Sequence, residues 1–323
     1  MALLLSEADV RAVLTMPIAL EAVAQAFQRL AGGEAQLHPR RRIHTPENVF
    51  MHYMAAADYA SGYMGLKIYT SARGAVRFVV PLFRTRTGEL VALIEADYLG
   101  QMRTGAASGI ATKYMARENS RTVGILGTGL QARTQLEAMV AVRRIERIRA
   151  FGRNPQRRAD FCAEMAGKLG VPVEPAASPE EAVRAADIVI VATNSSTPVL
   201  KGEWLAPGMH INAIGGNFPQ KRELDEAAVR RADLVAADSV EQSKLEAGDL
   251  IQLCGEDPQK WSPVSELADI VAGRLPGRTG PQQITLFKSN GIAIEDVATA
   301  ARVYELAIER GLGQRIAFWE RCG

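Results

Sequence analysis

The stretch Arg121-Thr-Val-Gly-Ile-Leu-Gly127-Thr-Gly129-Leu-Gln-Ala132 reads as a buried β-strand running into a glycine turn and then a helix. This is the pattern of the phosphate-binding half of a dinucleotide fold. Gly127 would make the tight turn, Gly129 would let backbone N–H groups approach a pyrophosphate, and Ala132 would let the helix pack close on its strand. Glycine and alanine are common, and the same turn also joins strands to helices that bind nothing. Context favours the ligand here. Gln131 to Val142 continues at helical spacing and a second strand, Ile145 to Phe151, follows.

Outward from this motif, the chain is long enough for two domains, with 323 residues against roughly 100 to 200 per domain. Its 38 basic and 36 acidic residues nearly balance, which gives no reason to expect nucleic acid or an anionic membrane as a partner. Met1 to Leu5 is apolar but short, without a basic start or a small-residue cleavage site, and no apolar run approaches the roughly 18 residues of a membrane span. A cytoplasmic location is expected. Cys162, Cys254 and Cys322 are odd in number and scattered, which argues against a disulfide framework and against a metal site, and leaves them as buried or incidental thiols.

Before the motif, Ser6 and Asp9 form a capping-box-like start to a first helix, and Pro17 starts a second that runs to Leu30 and stops at Gly32-Gly33. Strand-like segments follow at Val49–Met54, Gly65–Tyr69, Val76–Phe83 and Leu90–Ala96, with a turn at Thr85–Glu89 between the last two. A helix is predicted over about Thr104 to Met115. After the motif, strands and helices alternate to make a doubly wound parallel sheet, and a final apolar-periodic helix, Ile292 to Glu309, could return to the first domain.

An NAD site normally places an acidic side chain at the end of the second strand, on the ribose hydroxyls. Here the strand ends Phe151-Gly152-Arg153. The glycine removes the carboxylate that would repel a 2′-phosphate and Arg153 offers a guanidinium to bind one, so NADP(H) is preferred and NAD(H) remains possible. Three sets of cations lie before this domain: Arg40-Arg41-Arg42, Lys67 within the apolar strand Leu66-Lys-Ile68, and Arg103 at the start of a helix. They could converge on a carboxylate. Equally, Lys67 could alternate to the solvent face of its strand, Arg103 could be helix-surface charge and the arginine run a solvated turn.

Four ordered blocks carry a resemblance over essentially the whole chain. They are Gln101-Met-Arg-Thr-Gly-Ala-Ala-Ser-Gly-Ile-Ala-Thr112, the glycine turn, Pro207-Gly-Met-His-Ile-Asn-Ala-Ile-Gly-Gly216 with Arg222-Glu-Leu-Asp225, and Thr285-Leu-Phe-Lys-Ser-Asn-Gly-Ile-Ala-Ile-Glu-Asp296. Together they resemble the ornithine cyclodeaminase and μ-crystallin family, whose members include cyclodeaminases, alanine dehydrogenases and cyclic ketimine reductases. The resemblance implies an α/β protein: a Rossmann doubly wound parallel sheet over residues 117–299, plus an α+β substrate-binding and dimerisation domain from residues 1–116 and 300–323. It further implies a homodimer. By position, Arg41, Lys67 and Arg103 would hold the substrate carboxylate, with Lys67 also transferring a proton. Arg103 and Thr104, Gly127, Gly129, Leu130, Gln131, Arg153, Thr193, Ile214, Gly215, Gly216, Lys221 and Ser289 would meet the cofactor.

Two departures from that pattern bear on the reaction. Ornithine cyclodeaminases carry an aspartate directly after the Gly-Gly pair, and this chain has Asn217, whose amide cannot act as a general base. His52 stands roughly where those enzymes have a glutamate, and an ordinary imidazole could give a proton to an imine near neutrality. The expected activity is therefore oxidoreduction at the C–N bond of a 2-imino or 2-amino acid, a cyclic ketimine of the pyrroline-2-carboxylate type being the favoured substrate. The alternatives are ornithine cyclodeamination and, in another class, a non-catalytic NADP(H)-binding protein of the crystallin kind.

Overall fold

The computed structural model describes residues 1–72, 75–184 and 186–318. The chain forms two units, Met1–Arg103 with Gly291–Gly323, and Thr104–Asn290. The first boundary thus falls earlier than residue 116, inside a helix, and the chain re-enters the first unit at 291 rather than 300. Cys162 and Cys254 are free and buried, while Cys322 lies outside the described residues.

The first unit opens with β1 (Ala2–Leu5), α1 (Glu7–Val13) and α2 (Met16–Gly32). The capping box is complete: Asp9 N donates to Ser6 Oγ at 3.3 Å and Ser6 N to Asp9 Oδ2 at 2.9 Å, a cap worth about 1 kcal/mol. Gly33 ends α2 in the left-handed region at φ 75°, as a C-terminal glycine should. Then come β2 (Ala35–His44), β3 (Phe50–Asp58), β4 (Tyr63–Ala72), β5 (Ala75–Arg84) and β6 (Leu90–Glu95), an antiparallel run. With β15 (Gln314–Ile316) at one edge, the sheet has seven strands in the order β15-β1-β6-β5-β4-β3-β2.

Three of its strands, β1, β2 and β15, were not anticipated. β1 is four residues long, too short to show a period, and is recruited by its parallel pairing with β6. β2 was hidden because Pro39 and the arginine run look like a turn, and a bulge between His38 and Arg41 breaks the alternation.

α3 (Asp97–Met115) starts seven residues before the position expected from sequence. Its first turn is capped from elsewhere, by the Glu7 carboxylate, which accepts from Asp97 N at 2.6 Å and Tyr98 N at 3.2 Å. A cap supplied across the fold leaves no local signal.

The second unit continues with β7 (Thr122–Leu126), α4 (Leu130–Val142), β8 (Arg147–Phe151), α5 (Pro155–Leu169), β9 (Val173–Pro175), α6 (Pro179–Arg184), β10 (Ile188–Val191) and β11 (His210–Ala213). After these come α7 (Glu226–Arg230), β12 (Leu234–Ala237), α8 (Val240–Glu246), α9 (Gly248–Cys254), α10 (Pro258–Trp261), β13 (Val264–Glu266), α11 (Leu267–Val271) and β14 (Thr285–Lys288). The eight strands are parallel, in the order β13-β12-β14-β11-β10-β7-β8-β9. β10 reads Ile-Val-Ile-Val and is buried throughout, as expected of a strand covered on both faces. The chain runs from β7 outward to β9, then returns to the other side of β7 with β10. That reversal is the switch point at which such sheets bind ligands. Finally α12 (Ala293–Glu309), buried from Ala293 to Ala301, packs within the first unit against α2 and β2 to β5, and β15 (Gln314–Ile316) closes the first sheet.

Candidate functional site

In the second unit, the glycine turn sits at the switch point. Gly127 has φ 109°, and a Cβ built on it would lie 2.2 Å from the Ala192 carbonyl, so only glycine fits there. Gly129 is the N-cap of α4 and has no side chain to cap the helix, whereas α5 is capped by Asn154 accepting from Arg157 N at 2.9 Å. A Cβ on Gly129 would meet nothing within 4 Å. An uncapped helix N-terminus behind open space suits a pyrophosphate, and Leu130 and Gln131 open that helix. At the end of β8, Arg153 is exposed and Arg158 Nη1 donates to the Gly152 carbonyl at 3.1 Å, so a second cation stands beside the expected one. A Cβ on Gly152 would come within 2.7 Å of Thr128 Oγ1, which disfavours an acidic side chain there.

The ends of β10 and β11 are tied together by a residue the sequence did not single out. Thr193 N and Oγ1 both donate to Glu223 Oε1, at 2.7 and 2.6 Å, and a Cβ on Gly215 would run into the Thr193 carbonyl and the Glu223 carboxylate. Asp249 accepts from Glu223 N at 2.7 Å and pairs with Lys288 Nζ at 3.2 Å, and all three of these side chains are buried. Burial pushes the Glu223 carboxyl up to about 7, against the pull of Lys288 and the Thr193 bonds. Lys288 lies in the apolar strand Thr-Leu-Phe-Lys, the signal that would have found it. Gly216 lies over this group, a Cβ there being 3.6 Å from Lys288 Nζ. Ser289 does not cap the last helix; its Oγ donates to Asp238 Oδ2 at 3.3 Å. Thr104 is buried with its carbonyl accepting from Gln135 Nε2 at 3.1 Å, Lys221 Nζ lies 5.3 Å from the Phe218 ring, and Ile214 is buried just beyond β11.

In the first unit, Lys67 faces inward from β4. It stands opposite Met54 of β3 and is 3% exposed, so its strand does not turn it to solvent. Its Nζ donates to Asp296 Oδ1 at 2.8 Å and lies 4.7 Å from the centre of the Phe78 ring. The same oxygen accepts from Arg103 Nε at 3.0 Å, and Arg103 Nη1 donates to Glu295 Oε2 at 2.8 Å. Burial and the Arg103 charge bring the Lys67 ammonium down to about 8, while Asp296 works in the opposite direction.

Arg40, not Arg41, is the arginine on this face. Arg40 is buried, with Nη2 2.9 Å from the Gly291 carbonyl and 3.8 Å from Met54 Sδ, whereas Arg41 is exposed and pairs with Tyr53 on the outer face of the sheet. The bulge after His38 shifts which residues of β2 point inward. His52 is buried and stacks on Tyr69, with ring centres 4.3 Å apart, and its Nε2 lies 3.4 Å from Ser71 Oγ. Burial and the charges of Arg42 and Arg40 hold its imidazole at about 4, so at neutral pH it has no proton to give. That opposes the acid role expected of His52. Asp296 and Glu295 were visible as an acidic pair in an otherwise apolar helix start, a pattern that calls for buried partners.

The model of the family described as ornithine cyclodeaminase/mu-crystallin matches residues 1–311. The chain belongs to the ornithine cyclodeaminase/mu-crystallin family. Among relatives, a Delta(1)-pyrroline-2-carboxylate reductase of Bacillus cereus is 40% identical over 263 residues, 79% of this chain and 81% of that protein. An alanine dehydrogenase of Archaeoglobus fulgidus is 34% identical over 98% of both chains. The solved structure of Thermococcus litoralis Delta(1)-pyrroline-2-carboxylate reductase, in complex with NADH and L-proline, superposes with a TM-score of 0.92 at 40% identity, covering 97% of this chain and 100% of that one. Among the described residues, no single helix is long and apolar enough to cross a membrane, and no group of three or more His, Cys, Asp or Glu could hold a metal ion.

Proposed function

We propose that this member of the family reduces the C=N bond of a cyclic 2-imino acid of the pyrroline-2-carboxylate type to the cyclic amino acid, using NAD(P)H. One observation carries the reading most directly. Three cations, Arg40, Lys67 and Arg103, are buried in the first unit with two carboxylates, Glu295 and Asp296. Burying ions costs several kcal/mol each even when they are paired, so such a cluster is a poor stabiliser. Guanidinium groups suit a substrate carboxylate because they bind it through paired hydrogen bonds.

When bound, the nicotinamide supplies hydride to C2. The residues of the chain do the rest. Arg103 and Arg40 hold the carboxylate, and Lys67 keeps at Nζ the proton that the imine nitrogen takes as the C–N double bond becomes single. With an ammonium near 8, Lys67 is largely protonated at neutral pH yet acidic enough to release a proton. The Asn217 amide, in place of a carboxylate, lacks the base expected for ring closure of a diamino acid.

The preference for NADP(H) over NAD(H) belongs to this proposal and is supported by Gly152, Arg153 and Arg158. The homodimer and the cytoplasmic setting belong to it as well. Ile43, Met51, Tyr53 and Val79 are exposed apolar side chains on the outer face of the first sheet, which a second copy of the chain would cover.

The test is purified protein with NADPH against pyrroline-2-carboxylate, piperideine-2-carboxylate, and pyruvate with ammonia, beside ornithine with NAD. NADPH oxidation with a cyclic imino acid is the expected result. Conversion of ornithine to proline and ammonia without net cofactor use would replace the proposal with cyclodeamination. Tight cofactor binding without turnover on any arm would make the chain a binding protein.

A further inference from the structure

The cluster around Lys67 contains a residue whose placement is unlike that of a structural counter-ion. Asp296, fully buried at the start of α12, spends one oxygen on two donors of different elements: Lys67 Nζ of β4 at 2.8 Å and Arg103 Nε of α3 at 3.0 Å. Its other oxygen, Oδ2, is buried and makes no hydrogen bond. An unsatisfied buried acceptor is costly, so a carboxylate kept for stability alone would engage both oxygens. The lysine, in turn, has little else to hold it. The side chain opposite is Met54, the ring beside it is Phe78, and a Cβ on Gly100 would already be 3.0 Å from Nζ.

We propose that Asp296 is the positioning residue of this site: its Oδ1 fixes the Lys67 ammonium against Arg103 and keeps it a charged proton donor at neutral pH. The proposal rests on the imine-reductase reading. The charged groups around Lys67 are Arg103 from α3, Arg40 from β2, and Asp296 and Glu295 from α12, while His52 of β3 is uncharged at neutral pH. Burial, Arg103 and Arg40 all favour loss of the lysine proton, and Asp296 opposes them both by its charge and by its hydrogen bond. Without that carboxylate the ammonium would face two guanidinium groups and an apolar wall, with Glu295 bonded to Arg103 and not to Lys67. Asp296 would act through Lys67, without itself exchanging a proton with substrate.

The experiment compares the pH dependence of kcat/KM for pyrroline-2-carboxylate with NADPH in the wild type, Asp296→Asn and Glu295→Gln, with NADPH affinity measured by fluorescence. In the wild type, activity falls as pH rises through the value at which Lys67 loses its proton. In Asp296→Asn that basic limb moves about one pH unit or more toward acid, and activity at pH 7 falls about tenfold or more, with NADPH affinity unchanged. In Glu295→Gln, which removes a carboxylate bonded to Arg103 and not to Lys67, the substrate KM rises and the limb stays in place. A limb unmoved in Asp296→Asn overturns the proposal while leaving the reductase reading intact. Should Asp296→Asn not fold, Asp296→Glu serves instead: it keeps the charge but displaces the oxygen, and unchanged activity at pH 7 would overturn the proposal. An inactive wild type overturns both the reading and the proposal.

Discussion

Arg40 donates through Nη2 to the carbonyl of Gly291 at 2.9 Å, where the chain re-enters the first unit, while its neighbour Arg41 is exposed on the other face of the sheet. One residue of register therefore separates a buried cation from a surface one. Arg40→Met is expected to raise the KM for the imino acid about tenfold or more. It should also lower stability by about 1–3 kcal/mol through the bond lost at Gly291. Arg41→Ala should change the KM by less than about twofold. Steady-state kinetics and urea unfolding of both variants check this, and a large KM effect at Arg41 alone would reverse the assignment.

The proposed preference for NADP(H) turns on Arg153. It is exposed and beside the Arg158 side chain, which is anchored to the Gly152 carbonyl. Arg153→Ala should lower kcat/KM for NADPH about tenfold and leave that for NADH within about twofold, because only the 2′-phosphate gains from the guanidinium. An acidic residue at 152 is the less direct test, since its Cβ would press on Thr128 Oγ1 at 2.7 Å. Equal efficiency with both cofactors in the wild type would remove the preference altogether.

His52 gives a pH prediction of definite sign. Its folded-state value of about 4 lies below the ordinary 6.5. Between those values the unfolded chain binds a proton that the folded protein does not. Stability is therefore complete above the ordinary value and is lost as pH falls through this window. His52→Gln should lose less stability than the wild type between pH 6.5 and 4 in paired denaturation curves. Its activity at pH 7 should stay within about tenfold of the wild type, because a neutral imidazole donates no proton to the imine. A loss of about a hundredfold would restore His52 as the acid.

The fold was legible where the signal was local. The strand and turn at Arg121–Ala132, the capping box at Ser6 and the Gly33 stop all depend on residues within a few positions of one another. It was illegible where a partner came from far along the chain. Glu7 caps α3, β1 exists because β6 pairs with it, and a bulge in β2 decides which arginine turns inward. The site divides in the same way. Lys67 and Arg103 stood out as cations in apolar contexts, but the identities of their counter-ions, 229 and 193 residues away for Asp296, required the fold. Glu223 was missed for a similar reason: nothing near it in sequence announces that Thr193 needs an acceptor.

Replacing Lys67 by methionine keeps an unbranched side chain, one heavy atom shorter, and removes the ammonium. Asp296 retains Arg103 as a partner in the variant, so the fold should survive. Turnover should fall about a hundredfold or more, the scale of a positioned proton donor, with NADPH affinity unchanged. Fluorescence titration and single-turnover rates separate the two quantities. A loss of less than about threefold would place the proton donor elsewhere.

The central claim, hydride transfer from the nicotinamide to C2 of a cyclic imino acid, is tested most directly by isotope. Wild-type protein is given NADPH deuterated at the transferring position together with pyrroline-2-carboxylate, and the product is examined by mass spectrometry and NMR. One deuterium at C2 of proline for each cofactor oxidised is the expected result. Proline free of deuterium from the cofactor, or labelled cofactor recovered unconsumed, would contradict the account.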